Sequence, residues 1–177
     1  MKKFILMFLM LLTTSLIFAQ LDVITKHSGE IVSGNVIRDE EYTIVFKYDG
    51  EDTENTISKY AIEKIVFKSG RVEQVTEKIV VESDKDWEKV VILEDKTYIA
   101  GLKKVGEIKG KTSFINFQTG NTGDTKSTMK LKMEAAKMGC PFILMTSDKD
   151  INASGGNNGL YGIGNVQSVK KGIAFKY

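Results

Sequence analysis

Soft sulfur is concentrated in one stretch, MKLKMEAAKMGCPFILM, which carries the sole cysteine, Cys140, and four of the seven methionines. Thiolate and thioether favour copper(I), and a low-pKa thiolate supports redox exchange. A soft-metal or thiol-redox site at Cys140 and the nearby methionines is therefore the first chemistry to weigh. At about 100° per residue in a helix, Met129 and Met133 lie about 40° apart, whereas Met138 lies about 180° from Met129. Three thioethers thus cannot converge from one helix. Cys140 with Met138, or Met129 with Met133, supplies two soft ligands, and the single histidine, His27, lies far away in the chain. The competing reading is that Met fills irregular gaps and free Cys packs as a small apolar group. Core packing is the preferred reading, with the copper or thiol-redox site as its alternative.

Other chemistry finds little support. GKTS at Gly110–Ser113 resembles the end of a phosphate loop, but the glycine needed five residues earlier is Val105. GGNNGLYGIG lacks the strand-to-helix context of a dinucleotide site and reads as a hairpin loop. Asn152 in NAS is a glycosylation pattern that implies surface exposure only. His27, between Lys26 and Ser28 in a turn, reads as a solvated residue, and one histidine and one cysteine in different halves make a poor nucleophile pair. No spacing among the 23 Asp and Glu selects a pair for acid–base work. No catalytic, cofactor-binding or metal residue is selected, and no cofactor is expected.

The elements around these residues follow from pattern. MKKFILMFLMLLTTSLIFAQ has two lysines, a short apolar run and a small exit residue, which predicts a secretory signal peptide over residues 1–19. Thr13, Thr14 and Ser15 interrupt the run, and no stop-transfer pattern follows, so no stable membrane span is expected after its removal. No cysteine near the cut offers a lipid anchor. The expected product is exported by its signal peptide, periplasmic or secreted, and bacterial. Loss of Lys2 and Lys3 leaves equal numbers of basic and acidic residues, with Arg38 and Arg71 the only arginines. A neutral, arginine-poor chain excludes a nucleic-acid surface. In an oxidising compartment Cys140 has no intramolecular partner, so stability must come from a core.

Residues 20–75 read as short strands with glycine turns at HSG and KSG, and EYTIVFKY alternates, with Tyr42, Ile44, Phe46 and Tyr48 on one face. Such a series predicts a small closed barrel. Residues 76–86, TEKIVVESDKD, turn abruptly charged and are expected to link the halves. Residues 87–177 hold the run VVIL, a helix over roughly 124–138, a C-cap at Gly139, and a strand opened by Pro141. SDKDINASGGNNG reads as a polar loop, and one or two strands close the chain. The helix's apolar sector is wider than one sheet contact needs, so a second packing partner is expected.

VITKHSGEIVSGNVIRDEEYTIVF, with Val23, Gly29, Ile31, Gly34, Val36, Ile44 and Phe46, resembles the first motif of Sm-like small barrels. ISKYAIEKIVF, with Ile57, Ile62, Ile65 and Phe67, looks like the corner and last strand of such a barrel. The resemblance covers residues 22–67 and implies an SH3-like fold. The family's RNA-contacting arginine–glycine pair is replaced by SKYA, so RNA binding does not carry over. LKMEAAKMGCPFILM with GIAFKY is similar to small α/β domains of exported bacterial envelope proteins, over residues 125–177, which implies fold and compartment but no activity. The expected class is mixed β and α+β, an SH3-like small β-barrel followed by a sheet with one main helix. The expected function is that of a non-enzymatic binding module with an envelope protein or ligand as partner; Tyr48, Tyr60 and Trp87 are the exposed aromatics to follow.

Overall fold

The computed structural model describes residues 21–112, 120–152 and 166–177. The signal-peptide segment and the glycine loop GGNNGLYGIG lie outside the described residues. Among the described residues no helix is long and apolar enough to cross a membrane.

The first half is an antiparallel sheet in which a four-strand meander is extended by two strands added beside its first strand. Its strands are β1 (Asp22–Lys26), β2 (Ile31–Asp39), β3 (Thr43–Tyr48), β4 (Asn55–Ser58), β5 (Ile62–Val66) and β6 (Val72–Gln74). The order across the sheet is β4-β3-β2-β1-β5-β6. Gly29 and Gly70 take positive φ (90° and 83°) in the HSG and KSG turns, where a side chain would be strained. Ile24, Ile44, Phe46, Ile57, Ile62 and Ile65 form the core of this half. The corner Lys59–Ala61 is a 3-10 turn, capped by the Ser58 hydroxyl accepting from the Tyr60 N–H.

The closed barrel expected over residues 20–75 is not formed, because no ladder joins β4 to β6 and the sheet is open. β6 has only three residues, spent on β5. The free side of β4 is taken by the second half instead: Ser58 N–H donates to the Ala100 carbonyl at 2.9 Å. The 3-10 turn Lys96–Ile99 lies against β4, and the chain can approach so closely because the next turn carries Gly101 (φ 85°). A Cβ at Gly101 would sit 2.9 Å from the Ile57 side chain.

Among the described residues the second half is a four-stranded sheet of order β7-β9-β10-β8 with one α-helix. Its strands are β7 (Val91–Leu93), β8 (Lys103–Lys111), β9 (Phe142–Asn152) and β10 (Val166–Lys176), and the helix is α1 (Gly120–Lys137). Gly139 (φ 63°) ends the helix as expected. Strand β9 runs six residues further than the sequence suggests, taking Ser147–Asn152 from the expected polar loop because β10 pairs with them through Val166↔Asn152. The pleat of this sheet separates two cores. Ile108, Ile143 and Ala174 face Leu131, Ala135 and Ala136 of α1. Phe142, Leu144 and Phe175 face the other way, with Leu93, Tyr60, Tyr98 and Tyr177.

Leu102 packs against the cores of both halves, so the two sheets share an interface. Residues 76–86, expected as a linker, run between the halves as a fastened strap. The Thr76 hydroxyl reaches the Ile62 carbonyl at 2.7 Å, Lys78 Nζ donates to the His27 carbonyl at 3.2 Å, and Ile79 N–H donates to the Tyr177 hydroxyl at 2.9 Å. Val81 and Trp87 pack against the core that α1 shares with the sheet, supplying the second partner its wide apolar sector calls for.

Candidate binding cleft

The sulfur-rich stretch is core. Cys140 is fully buried beside Leu131, Ala136 and Ile143, and its thiol points at the Met138 carbonyl at 3.5 Å. Burial pushes the Cys140 thiol pKa up, away from the reactive thiolate, against a smaller opposing pull from Lys176. Met138 is exposed on the other side, with its methyl near Gly106. Among the described residues no three His, Cys, Asp or Glu side chains converge as a metal site would need.

His27 is not the solvated turn residue that its neighbours in sequence suggest; it is buried at 7 % exposure. Its N–H donates to the Ala61 carbonyl, and its ring stands edge-on to Tyr177 with centroids 4.8 Å apart. Nε2 lies 2.9 Å from the Thr76 hydroxyl, whose one proton is directed at the Ile62 and Lys59 carbonyls. Nε2 is therefore the protonated nitrogen of a neutral ring, donating to Thr76. Burial lowers the His27 pKa, Glu63 opposes that, and Lys78 adds to it. This cluster joins the halves.

A second polar group lies under α1. Lys170, 5 % exposed, is held by Asp124 at 2.6 Å and Asp148 at 2.5 Å. Beside it the Ser127 hydroxyl of α1 meets the Ser168 hydroxyl of β10 at 2.9 Å, and Ser168 N–H donates to the Thr112 hydroxyl at 3.0 Å. Burial pulls the Lys170 pKa down, but the two carboxylates outweigh it and hold the ammonium above its usual value. A general-base lysine needs the reverse shift. The group therefore reads as a fastening of α1 to β10.

A cleft open to a ligand lies where the sheets meet. It encloses about 230 Å³ and is lined by Tyr42, Tyr60 and Tyr98 together with Ile92, Leu93 and Glu94. Each element brings one part. Tyr42 enters from the bend before β3, with its carbonyl accepting from Lys59 N–H at 2.9 Å. Tyr60 stands on the 3-10 corner with its ring 5.5 Å from that of Phe142. Tyr98 stands on the turn Lys96–Ile99, capped by Asp95, whose carboxylate accepts from Thr97 N–H at 2.7 Å. The Tyr42 and Tyr98 rings lie 4.7 Å apart and tilted by 39°, forming an aromatic wall. The floor is β7, the short edge strand of the second sheet.

Carboxylates surround the phenols. A hydrogen bond to Glu41 and its charge raise the Tyr42 pKa. Burial raises that of Tyr98, reinforced by Asp95, Glu41 and Glu94. Both hydroxyls stay protonated at neutral pH; the Tyr42 proton is directed at Glu41. The cleft thus offers ring faces, phenol hydroxyls and carboxylate acceptors.

Of the three aromatics followed from the sequence, Tyr60 lines the cleft, Trp87 packs partly buried against α1, and Tyr48 is 40 % exposed beside Phe46. Tyr42 and Tyr98 were not singled out, although Tyr42 lies on the alternating face read for β3. No family model matches the chain, and no curated protein is significantly similar to it.

Proposed function

We propose that this chain is an exported, non-enzymatic binding protein of the bacterial cell envelope that holds its ligand in the tyrosine cleft. The observation that carries the reading is the convergence of Tyr42, Tyr60 and Tyr98 on one open cleft at the junction of the two sheets. Such a concave site, with aromatic walls and a few polar groups, suits binding. Export rests on the signal pattern of residues 1–19 and the balanced charge of the rest. The first sheet is read as an SH3-like module, supported by its strand order and the 3-10 corner before β5. Its β4 side serves the interface that builds the cleft.

Two experiments test this. Expression of the whole chain in a bacterium should yield exported protein whose intact mass lacks residues 1–19; cytoplasmic protein of full mass contradicts export. For the cleft, the mature protein is titrated with a lysine-bearing pentapeptide, its norleucine analogue and chitotetraose, with tyrosine-ring NMR signals as readout. Saturable shifts that are lost in Tyr98→Ala and retained in Tyr48→Ala support the cleft. Shifts lost only in Tyr48→Ala, or no shift with any probe, reject it.

A further inference from the structure

The cleft's floor is a strand edge. Strand β7 pairs with β9 in parallel, Val91↔Phe142 through Leu93↔Leu144, and Val91 N–H donates to the Pro141 carbonyl at 2.9 Å. Backbone groups alternate in direction along a strand. Val91 and Leu93 therefore turn their N–H and C=O toward β9, and Ile92 turns both of its groups away. No strand among the described residues takes that side. An extended peptide laid along Ile92 gains two main-chain hydrogen bonds there, the mode of recognition by strand addition.

The rim decides which peptide. Glu94 lines the cleft, Glu41 bonds Tyr42, and Asp95 caps the turn that carries Tyr98. Of the nearby cations, Lys59 is held by Asp39 at 2.5 Å and Lys96 adjoins Asp95. Carboxylates therefore outnumber free cations at the mouth. The opposite edge of the same sheet is the contrary case. Strand β8 bears Lys103, Lys104, Lys109 and Lys111, a lysine pattern that blunts an edge against pairing. A cation over a tyrosine face near carboxylates gains both cation–π and ionic attraction.

We infer that the cleft takes an extended peptide segment along the β7 edge, with a lysine or arginine side chain placed over the Tyr42–Tyr98 wall between Glu41 and Glu94. This rests on the cleft being the binding site. The test is a ¹⁵N NMR titration of the mature chain with acetyl-Val-Lys-Val-Lys-Val-amide, its norleucine analogue and chitotetraose. The lysine peptide should shift the Ile92 and Glu94 amides saturably and bind about ten-fold more tightly than the norleucine peptide, the sum of modest cation–π and surface ionic gains. The double variant Glu41→Gln, Glu94→Gln, both surface changes, should narrow the preference to about three-fold, the cation–π share that the Tyr42–Tyr98 wall retains. Equal affinity of the two peptides for the unaltered chain overturns the cationic assignment and leaves the cleft intact. Cleft shifts with chitotetraose alone overturn peptide recognition, also leaving the cleft intact. No shift of cleft signals with any probe overturns both the inference and the reading beneath it.

Discussion

Helix α1 approaches β8 so closely that one added methyl should separate them. An ideal Cβ at Gly110 would lie 2.0 Å from the Ser127 carbonyl oxygen, 2.7 Å from Leu131 N and 2.9 Å from Leu131 Cβ. Carbon–oxygen contacts settle near about 3.3 Å, so Gly110→Ala must part helix and strand by about 1.3 Å. Beneath the helix Leu131, Ala135, Ala136 and Cys140 are fully buried, and a gap of about 1 Å forfeits up to about half of such dispersion contacts. Overpacking of this kind costs about 1–3 kcal/mol. The 2.9 Å Ser127–Ser168 hydrogen bond would stretch beyond bonding range, adding about 1 kcal/mol. Loss of glycine entropy in the unfolded chain offsets about 0.4–1 kcal/mol. The expected net loss is about 2–3 kcal/mol. Gly106→Ala is the control, since its Cβ would meet only the flexible end of Met138 at 3.2 Å and should leave stability nearly unchanged. Urea denaturation followed by the single tryptophan reads the relevant region, because Trp87 packs on the same core. A Gly110→Ala variant within about 0.5 kcal/mol of Gly106→Ala would refute the close helix–strand packing.

Three further outcomes follow from the same contacts. Cys140 should react with a thiol reagent only as the chain unfolds, so native and denatured rates should differ by orders of magnitude; comparable rates would reopen the copper and thiol-redox readings. Because burial lowers the His27 pKa, the unfolded chain binds its proton first, and stability should fall as pH drops below about 6.5 toward the folded value. His27→Gln should flatten that part of the pH–stability curve, and an unchanged acid slope would contradict the buried neutral ring. Tyr177→Phe should cost about 1 kcal/mol by leaving the Ile79 N–H without its acceptor, as read by thermal unfolding, whereas Tyr177→Ala should cost about 3 kcal/mol by also removing the His27 and Phe142 contacts.

What the sequence made legible was local. Glycines after HS and KS announced turns whose positive φ the chain adopts, and Gly139 with Pro141 marked where the helix stops and β9 begins, because φ requirements act on single residues. Alternation in EYTIVFKY marked β3, and Ile44 and Phe46 lie in the core. Long-range consequences were not legible. His27 reads as solvated from Lys26 and Ser28, yet its burial comes from Thr76 and Tyr177, which no neighbouring residue encodes. The barrel stays open because Ala100 occupies the β4 side, a pairing between halves that no strand pattern announces. The polar run SDKDIN gives no hydrophobic signal for a strand, and β10 supplies the ladder that makes it one. The cleft is illegible for the same reason. Tyr42, Tyr60 and Tyr98 share no period and come from three elements, so only the packing of the two sheets assembles them.

The cleft is tested most directly by intermolecular nuclear Overhauser contacts in the complex of the mature chain with acetyl-Val-Lys-Val-Lys-Val-amide. Contacts from the lysine Cε protons to the Tyr42 and Tyr98 rings, with backbone contacts to Ile92, are the predicted result. A bound peptide whose contacts lie elsewhere on the surface, with none to these three residues, would contradict it.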